Sequence, residues 1–127
     1  MARPRARDLT ERELEVMHVF WRDGESTAAE ARDQLAAAGL DRAYTTIATL
    51  VRGLHDKGFL RQLNPERPFR YAPVRSHEDV SGRLLSEMVR RVFLGSRAQL
   101  LRRLVDERTL TAEERAVLEG ILKETAR

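Results

Sequence analysis

Apolar positions recur at helical spacing along most of this chain and at strand spacing in one short stretch. From about 10 to 22, Leu14, Met17 and Trp21 form an inward stripe that Val16 and Phe20 widen. Thr10 followed by Glu13 is a capping box that opens this helix, and Asp23 with Gly24 ends it. A second helix opens at Ser26 and Thr27 with Glu30, turns Ala28, Ala31 and Leu35 inward, and closes at Gly39. A third, about 43 to 57, carries Ile47, Leu50, Val51 and Leu54 along one edge, and Gly58 stops it. The period then changes. Residues 59–63 and 69–73 flank a loop holding Pro65 and Pro68, which predicts a hairpin. Phe59, Phe69 and Tyr71 are expected inward, with Arg61, Arg67 and Arg70 outside. Three helices and a hairpin would share a small core centred on Trp21, Leu50, Leu54 and Tyr71.

Pro73 to Ser76 reads as a boundary. Ser76 with Asp79 can cap a longer helix of about 77 to 94, apolar at Val80, Leu84, Leu85, Met88, Val89, Val92 and Phe93. Gly95 and Ser96 break it. A helix of about 97 to 107 bears Leu100, Leu101, Leu104 and Val105. Thr111 with Glu114 opens a last helix, about 112 to 125, with Val117, Leu118, Ile121 and Leu122. The expected organisation is a flexible basic tail over 1–8, a first domain over 9–75 and a helical region over 76–127. Helices this short and this rich in Leu and Val rarely bury their apolar faces alone. The simplest remedy is a second copy, making 76–127 a dimerisation region. The alternative is that these helices fold back onto the first part.

Composition narrows the function. Of 127 residues, none is cysteine, which excludes disulfides, thiolate metal sites and a cysteine nucleophile and suits a reducing cytoplasm. No apolar run approaches the roughly 18 residues needed to span a bilayer, and the basic start lacks the apolar run of a signal peptide. Net charge is only +3, but it is unevenly spread. Residues 8–33 hold 8 acids against 3 arginines, whereas 40–75 hold 7 bases against 3 acids. A basic stretch over the third helix and the hairpin is what phosphate binding requires.

The third helix carries the sharpest signal. Opposite its apolar edge stand Thr45, Thr49 and Arg52, with Thr46 and Ala48 on the flanks. Threonine is a mediocre helix former, so three within five positions are an odd choice for plain surface. A helix buried on one side, studded with Thr and Arg on the other and followed by a basic hairpin is the recognition unit of a winged helix-turn-helix. The expected fold is therefore mainly α with a small β-hairpin wing, followed by the C-terminal helical dimerisation region. Thr45, Ala48 and Thr49 are candidates for base-edge contact, and Arg52 for guanine or phosphate. Tyr44 and Thr46 are expected on phosphate near the helix N-terminus. Arg67 and Arg70 would lie along the backbone or minor groove, with Arg42 and Arg61 as weaker phosphate candidates. Arg3, Arg5 and Arg7 could reach a minor groove. The dimer contacts are expected from Leu84, Leu85, Met88, Val92, Leu100, Leu101, Leu104, Val117, Leu118, Ile121 and Leu122. His18, His55 and His77 show no metal-ligand spacing, and no metal or cofactor is expected. No phosphate loop, nucleophile elbow or triad pattern points to an enzyme. The competing reading is a winged helix used as a protein-interaction module.

With these elements placed, the chain resembles the penicillinase-repressor family, the BlaI/MecI-type regulators that also include copper-responsive CopY-type repressors. The resemblance runs from Leu9 to about Leu122. It rests on Leu14, Glu15, Val16 and Met17 followed by Trp21, then on 43–47 (Ala-Tyr-Thr-Thr-Ile) with Leu50 and Leu54. Lys57 and Gly58, followed by 69–73 (Phe-Arg-Tyr-Ala-Pro), complete it. It implies a homodimeric repressor that binds inverted-repeat operators in double-stranded DNA. Two departures bear on release. The antibiotic-responsive members are cut by a membrane sensor-protease at an Asn-Phe bond, where this chain has Arg103 and Leu104. The copper-responsive members carry a C-terminal cysteine motif, and this chain has no cysteine. Proteolysis, a small-molecule inducer or a partner protein acting on residues 77–127 all remain open as the releasing signal.

Overall fold

The computed structural model describes residues 9–106 and 110–126. The arginines at 3, 5 and 7 and the expected end of the fifth helix at 107 lie outside the described residues. In chain order the elements are α1 (Glu11–Asp23), β1 (Ser26–Thr27), α2 (Ala28–Ala37), α3 (Tyr44–Asp56), β2 (Leu60–Gln62), β3 (Arg70–Pro73), α4 (His77–Val92), α5 (Arg97–Asp106) and α6 (Ala112–Thr125). The chain divides into two compact units, one ending at Ser81 and the other beginning at Gly82. The first unit thus keeps the opening turn of α4, past the boundary expected at 75. No helix among the described residues is long and apolar enough to cross a membrane.

Local chemistry sets where the helices begin. Thr10, Thr27 and Thr111 each accept a hydrogen bond from the backbone of a glutamate three residues on, and that glutamate in turn accepts from the threonine N–H. Each reciprocal pair satisfies two of the amide groups a helix start leaves unbonded. The hydroxyls of Ser76 and Ser96 accept from Asp79 and Gln99 at the starts of α4 and α5.

In the first unit α1, α2 and α3 pack on one another around Val16, Met17, Val19, Phe20, Ala31, Leu35, Ile47, Val51 and Leu54. Leu60 from β2 and Tyr71 from β3 close the core, and Val80 of α4 is also buried. The centre differs from expectation. Trp21, Leu14 and Leu50 are only half-buried, at its margin. An indole N–H needs an acceptor when covered, and Trp21 Nε1 finds one at the edge, donating to the Arg75 carbonyl at 2.9 Å. Val19 and Leu60, at 4% and 1% exposure, occupy places the stripe did not assign them.

The sheet has three strands, in the order β1-β3-β2, all antiparallel. β2 and β3 form the expected hairpin, with Arg61 opposite Ala72 and Gln62 opposite Tyr71. β1 was not expected, because Ser26 and Thr27 read only as a helix cap. Thr27 does both: its backbone is extended, as a capping residue requires, and so also pairs with Arg70 in the ladder. The wing is thereby fastened to the start of α2.

The second unit contains the rest of α4 with α5 and α6. Leu94 and Gly95, both at positive φ, end the run of α4. None of the described residues from Gly82 onward is buried. Leu85, Val92, Leu101, Leu104, Val117, Ile121 and Leu122 are each more than half exposed.

Candidate nucleic-acid interface

α3 is divided lengthwise by burial. Ile47, Val51 and Leu54 are sealed in the core, while Tyr44, Thr45, Thr46, Thr49 and Arg52 are exposed and Ala48 is half-buried. Helical geometry requires that split, since residues three or four apart share a face. The N-terminus of α3 is the exception among the capped starts: Ala43 precedes it and offers no side-chain hydrogen bond. Its first amide groups, next to Tyr44, Thr45 and Thr46, therefore stay available to an anion such as a phosphate.

Beyond Asp56, Gly58 at φ 89° reverses the chain into β2, placing the wing beside α3. The wing loop is organised by Asn64, to which the hydrophobic pattern assigns no role. Its Oδ1 accepts from the Arg70 N–H at 2.7 Å, and its Nδ2 donates to the carbonyls of Glu66 and Pro68. An asparagine just before a proline in a hairpin loop is a recognisable turn signal. The loop it braces carries Arg67, whose guanidinium lies 5.2 Å from the centroid of the Phe69 ring.

The seven bases of this region are not equivalent. Arg52, Arg61 and Arg67 are exposed, and among the described residues no carboxylate pairs with them. Arg70, expected outside, is half-buried and engaged: it donates to Glu25 at 2.8 Å and to Glu30 at 3.4 Å. Arg42 Nη2 lies 3.0 and 3.1 Å from the two oxygens of Glu15, with both side chains less than a quarter exposed. These two arginines brace the first unit, Arg70 holding β3 to the β1–α2 corner and Arg42 holding the approach to α3 against α1. Lys57 likewise reaches the buried Glu13 on α1 at 2.8 Å. The acidic excess of residues 8–33 thus has a structural use, since it neutralises bases that are not on the open face.

The histidines separate too. His55 stands edge-on to Tyr71, whereas His18 and His77 meet around Trp21, their ring centroids 5.6 Å apart. Sequence separation gives no hint of that meeting.

A three-helix core, an exposed Thr-and-Arg helix face and a basic wing define a winged helix. The model of the penicillinase repressor family matches residues 9–124. The chain belongs to that family. It is 29% identical over 113 residues to the transcriptional regulator BlaI of Mycobacterium tuberculosis, spanning 88% of this chain and 80% of that one. It is 24% identical over 115 residues to the methicillin resistance regulatory protein MecI of Staphylococcus aureus, spanning 91% and 93%. Among solved structures, the DNA-binding domain of the repressor BlaI superposes with a TM-score of 0.50 at 29% identity, covering 57% of this chain and 87% of that domain.

Proposed function

We propose that this penicillinase-repressor family member represses transcription as a homodimer, seating α3 in the major groove of an inverted-repeat operator and the wing on the adjoining backbone. The observation that carries this reading is the exposed face of α3. Thr45, Thr49 and Arg52 stand clear of a helix whose other side is locked in the core, so the fold holds them in a fixed array. Hydroxyls and a guanidinium can read base edges, and the threonine and Ala48 methyls can meet thymine methyls. Arg61 and Arg67 supply phosphate contacts, as do Tyr44 and Thr46 beside the uncapped helix start. Arg42 and Arg70 are removed from the contacting set, because carboxylates already hold them.

The second unit supplies the partner surface. Leu84, Leu85, Met88, Val92, Leu100, Leu101, Leu104, Val117, Leu118, Ile121 and Leu122 leave an apolar surface that a lone chain would expose to water. A second copy covers it and doubles the number of recognition helices. One winged helix makes few contacts, and tethering two raises affinity through effective concentration.

The test is a gel-shift titration of the full chain against the promoter of its own gene, with random DNA as competitor and salt varied. Tight, competitor-resistant binding that weakens steeply with salt is expected, because each neutralised phosphate releases counterions. Binding no tighter than to random DNA at every salt concentration would refute the repressor reading and favour a protein-interaction module.

A further inference from the structure

Between the start of α2, α3 and the wing lies a cavity of about 370 Å³. Its floor is apolar, built from Ala28, Val51, Phe69 and Tyr71, and its mouth carries Arg52 and Arg67. We propose that this cavity binds a small aromatic carboxylate, and that ligand and DNA exclude one another there. The proposal rests on the repressor reading for its second half only.

Three observations select the ligand. The volume falls at the low end of the range for small-molecule sites, about 300–1,000 Å³, which suits one or two fused rings. Phe69 and Tyr71 present ring surfaces, on which a flat aromatic body stacks or meets an edge. The mouth is cationic: no carboxylate among the described residues forms an ion pair with Arg52 or Arg67. The acids of the α2 corner, Glu25 and Glu30, are occupied by Arg70. A guanidinium fork matches a carboxylate in shape as well as charge. A duplex crossing the mouth can offer a base edge to Arg52 and a phosphate to Arg67, but it has nothing to fill the recess below them. Val51, at 2% exposure, lies beyond its reach. Ligand and operator therefore compete for Arg52 and for the space beside Tyr44 and Ala48, which line both surfaces.

The probe is 2-naphthoate, titrated into the 15N-labelled full chain without DNA and followed by amide chemical shifts. Saturable shifts centred on Ala28, Val51, Phe69 and Tyr71 are expected. The uncharged 2-naphthamide should bind about tenfold more weakly, as should 2-naphthoate to the Arg67→Gln variant, since a charge-assisted hydrogen bond is lost in each. Arg67 is exposed, so that variant keeps the fold. Absence of saturable shifts, shifts confined to the apolar residues of 84–122, or equal binding of acid and amide would overturn the site. In a second arm, 2-naphthoate should release operator DNA in proportion to occupancy. A stable ternary complex would overturn the exclusion. Because ligand binding is read without DNA, failure of the chain to recognise any operator would leave the first arm a complete test of the cavity.

Discussion

Side chains on α3 divide into those buried in the core and those left exposed, and under the proposed function substitution separates their roles. Thr49 and Arg52 are exposed and lie outside the buried core. Replacing both with alanine should leave thermal stability within about 0.5 kcal/mol. Operator affinity should fall by about 2–4 kcal/mol, while binding to random DNA falls far less, because base-edge contacts carry discrimination and phosphate contacts do not. Competition gel shifts on operator and random fragments measure both, and equal losses would place the reading face elsewhere. Glu30 is a contrasting case. The hydrogen bond from the Thr27 backbone N–H, with Arg70 nearby, holds its carboxyl below the ordinary value and outweighs partial desolvation. A group depressed in the folded state adds stability above its unfolded pKa and loses it as pH falls through the folded value. Glutamine can keep the cap geometry without the charge. Glu30→Gln should therefore flatten the acid limb of a plot of unfolding midpoint against pH, below the ordinary carboxylate range. An unchanged slope would show that Glu30 titrates alike in folded and unfolded chains.

At the scale of elements, the passage from α3 to the wing depends on one backbone conformation. Gly58 sits at φ 89°, and a Cβ placed there would meet nothing within 4 Å. Any cost of Gly58→Ala therefore comes from the backbone, about 1–2 kcal/mol, and not from crowding. Urea unfolding should show that loss, and the amide signals of β2 and β3 should broaden first, since the turn aims them. A variant as stable as the parent would mean the reversal is held by strand pairing alone. Such turns and caps were legible in the sequence: Thr10, Thr27 and Thr111 with their glutamates, and Gly39 and Gly58, are local signals, and the helices begin and end beside them. What escaped depended on contacts distant along the chain. β1 exists only because β3 arrives beside Ser26 and Thr27. The ion pairs of Arg42 and Arg70 were not legible because Glu15 and Glu25 lie far away in sequence, 27 and 45 residues off. Trp21 belonged to the expected inward stripe of α1, yet it lies half-buried at the margin with its indole N–H bonded to the Arg75 carbonyl. The exposed face of α3 was the more legible part of the candidate site, since the residues that define it are its own neighbours at helical spacing.

For the whole molecule, the furthest-reaching consequence of the proposed function is that DNA binding would depend on residues that do not touch DNA. The described residues of the second unit bury none of their side chains, although leucine, valine and isoleucine recur along its helices. Covering one such side chain is worth about 1.5–3 kcal/mol, so a second copy gains from each and an aspartate in the same place opposes the association. Leu101, 58% exposed, lies on α5 beside the groove that α4 and α5 form, with Leu85 and Leu104. Leu101→Asp should shift the full chain from dimer to monomer in sedimentation velocity at micromolar concentration, as should Leu118→Asp on α6. Operator affinity should then fall by about a hundredfold or more, the contribution that simultaneous engagement of two half-sites makes. The first unit should remain folded, and the chain reports this directly: its single tryptophan, Trp21, belongs to that unit, with its indole bonded to Arg75. Unchanged tryptophan fluorescence with lost dimerisation and lost operator binding would tie affinity to the second unit. A charged variant that stays dimeric and binds as tightly would assign dimerisation to another surface.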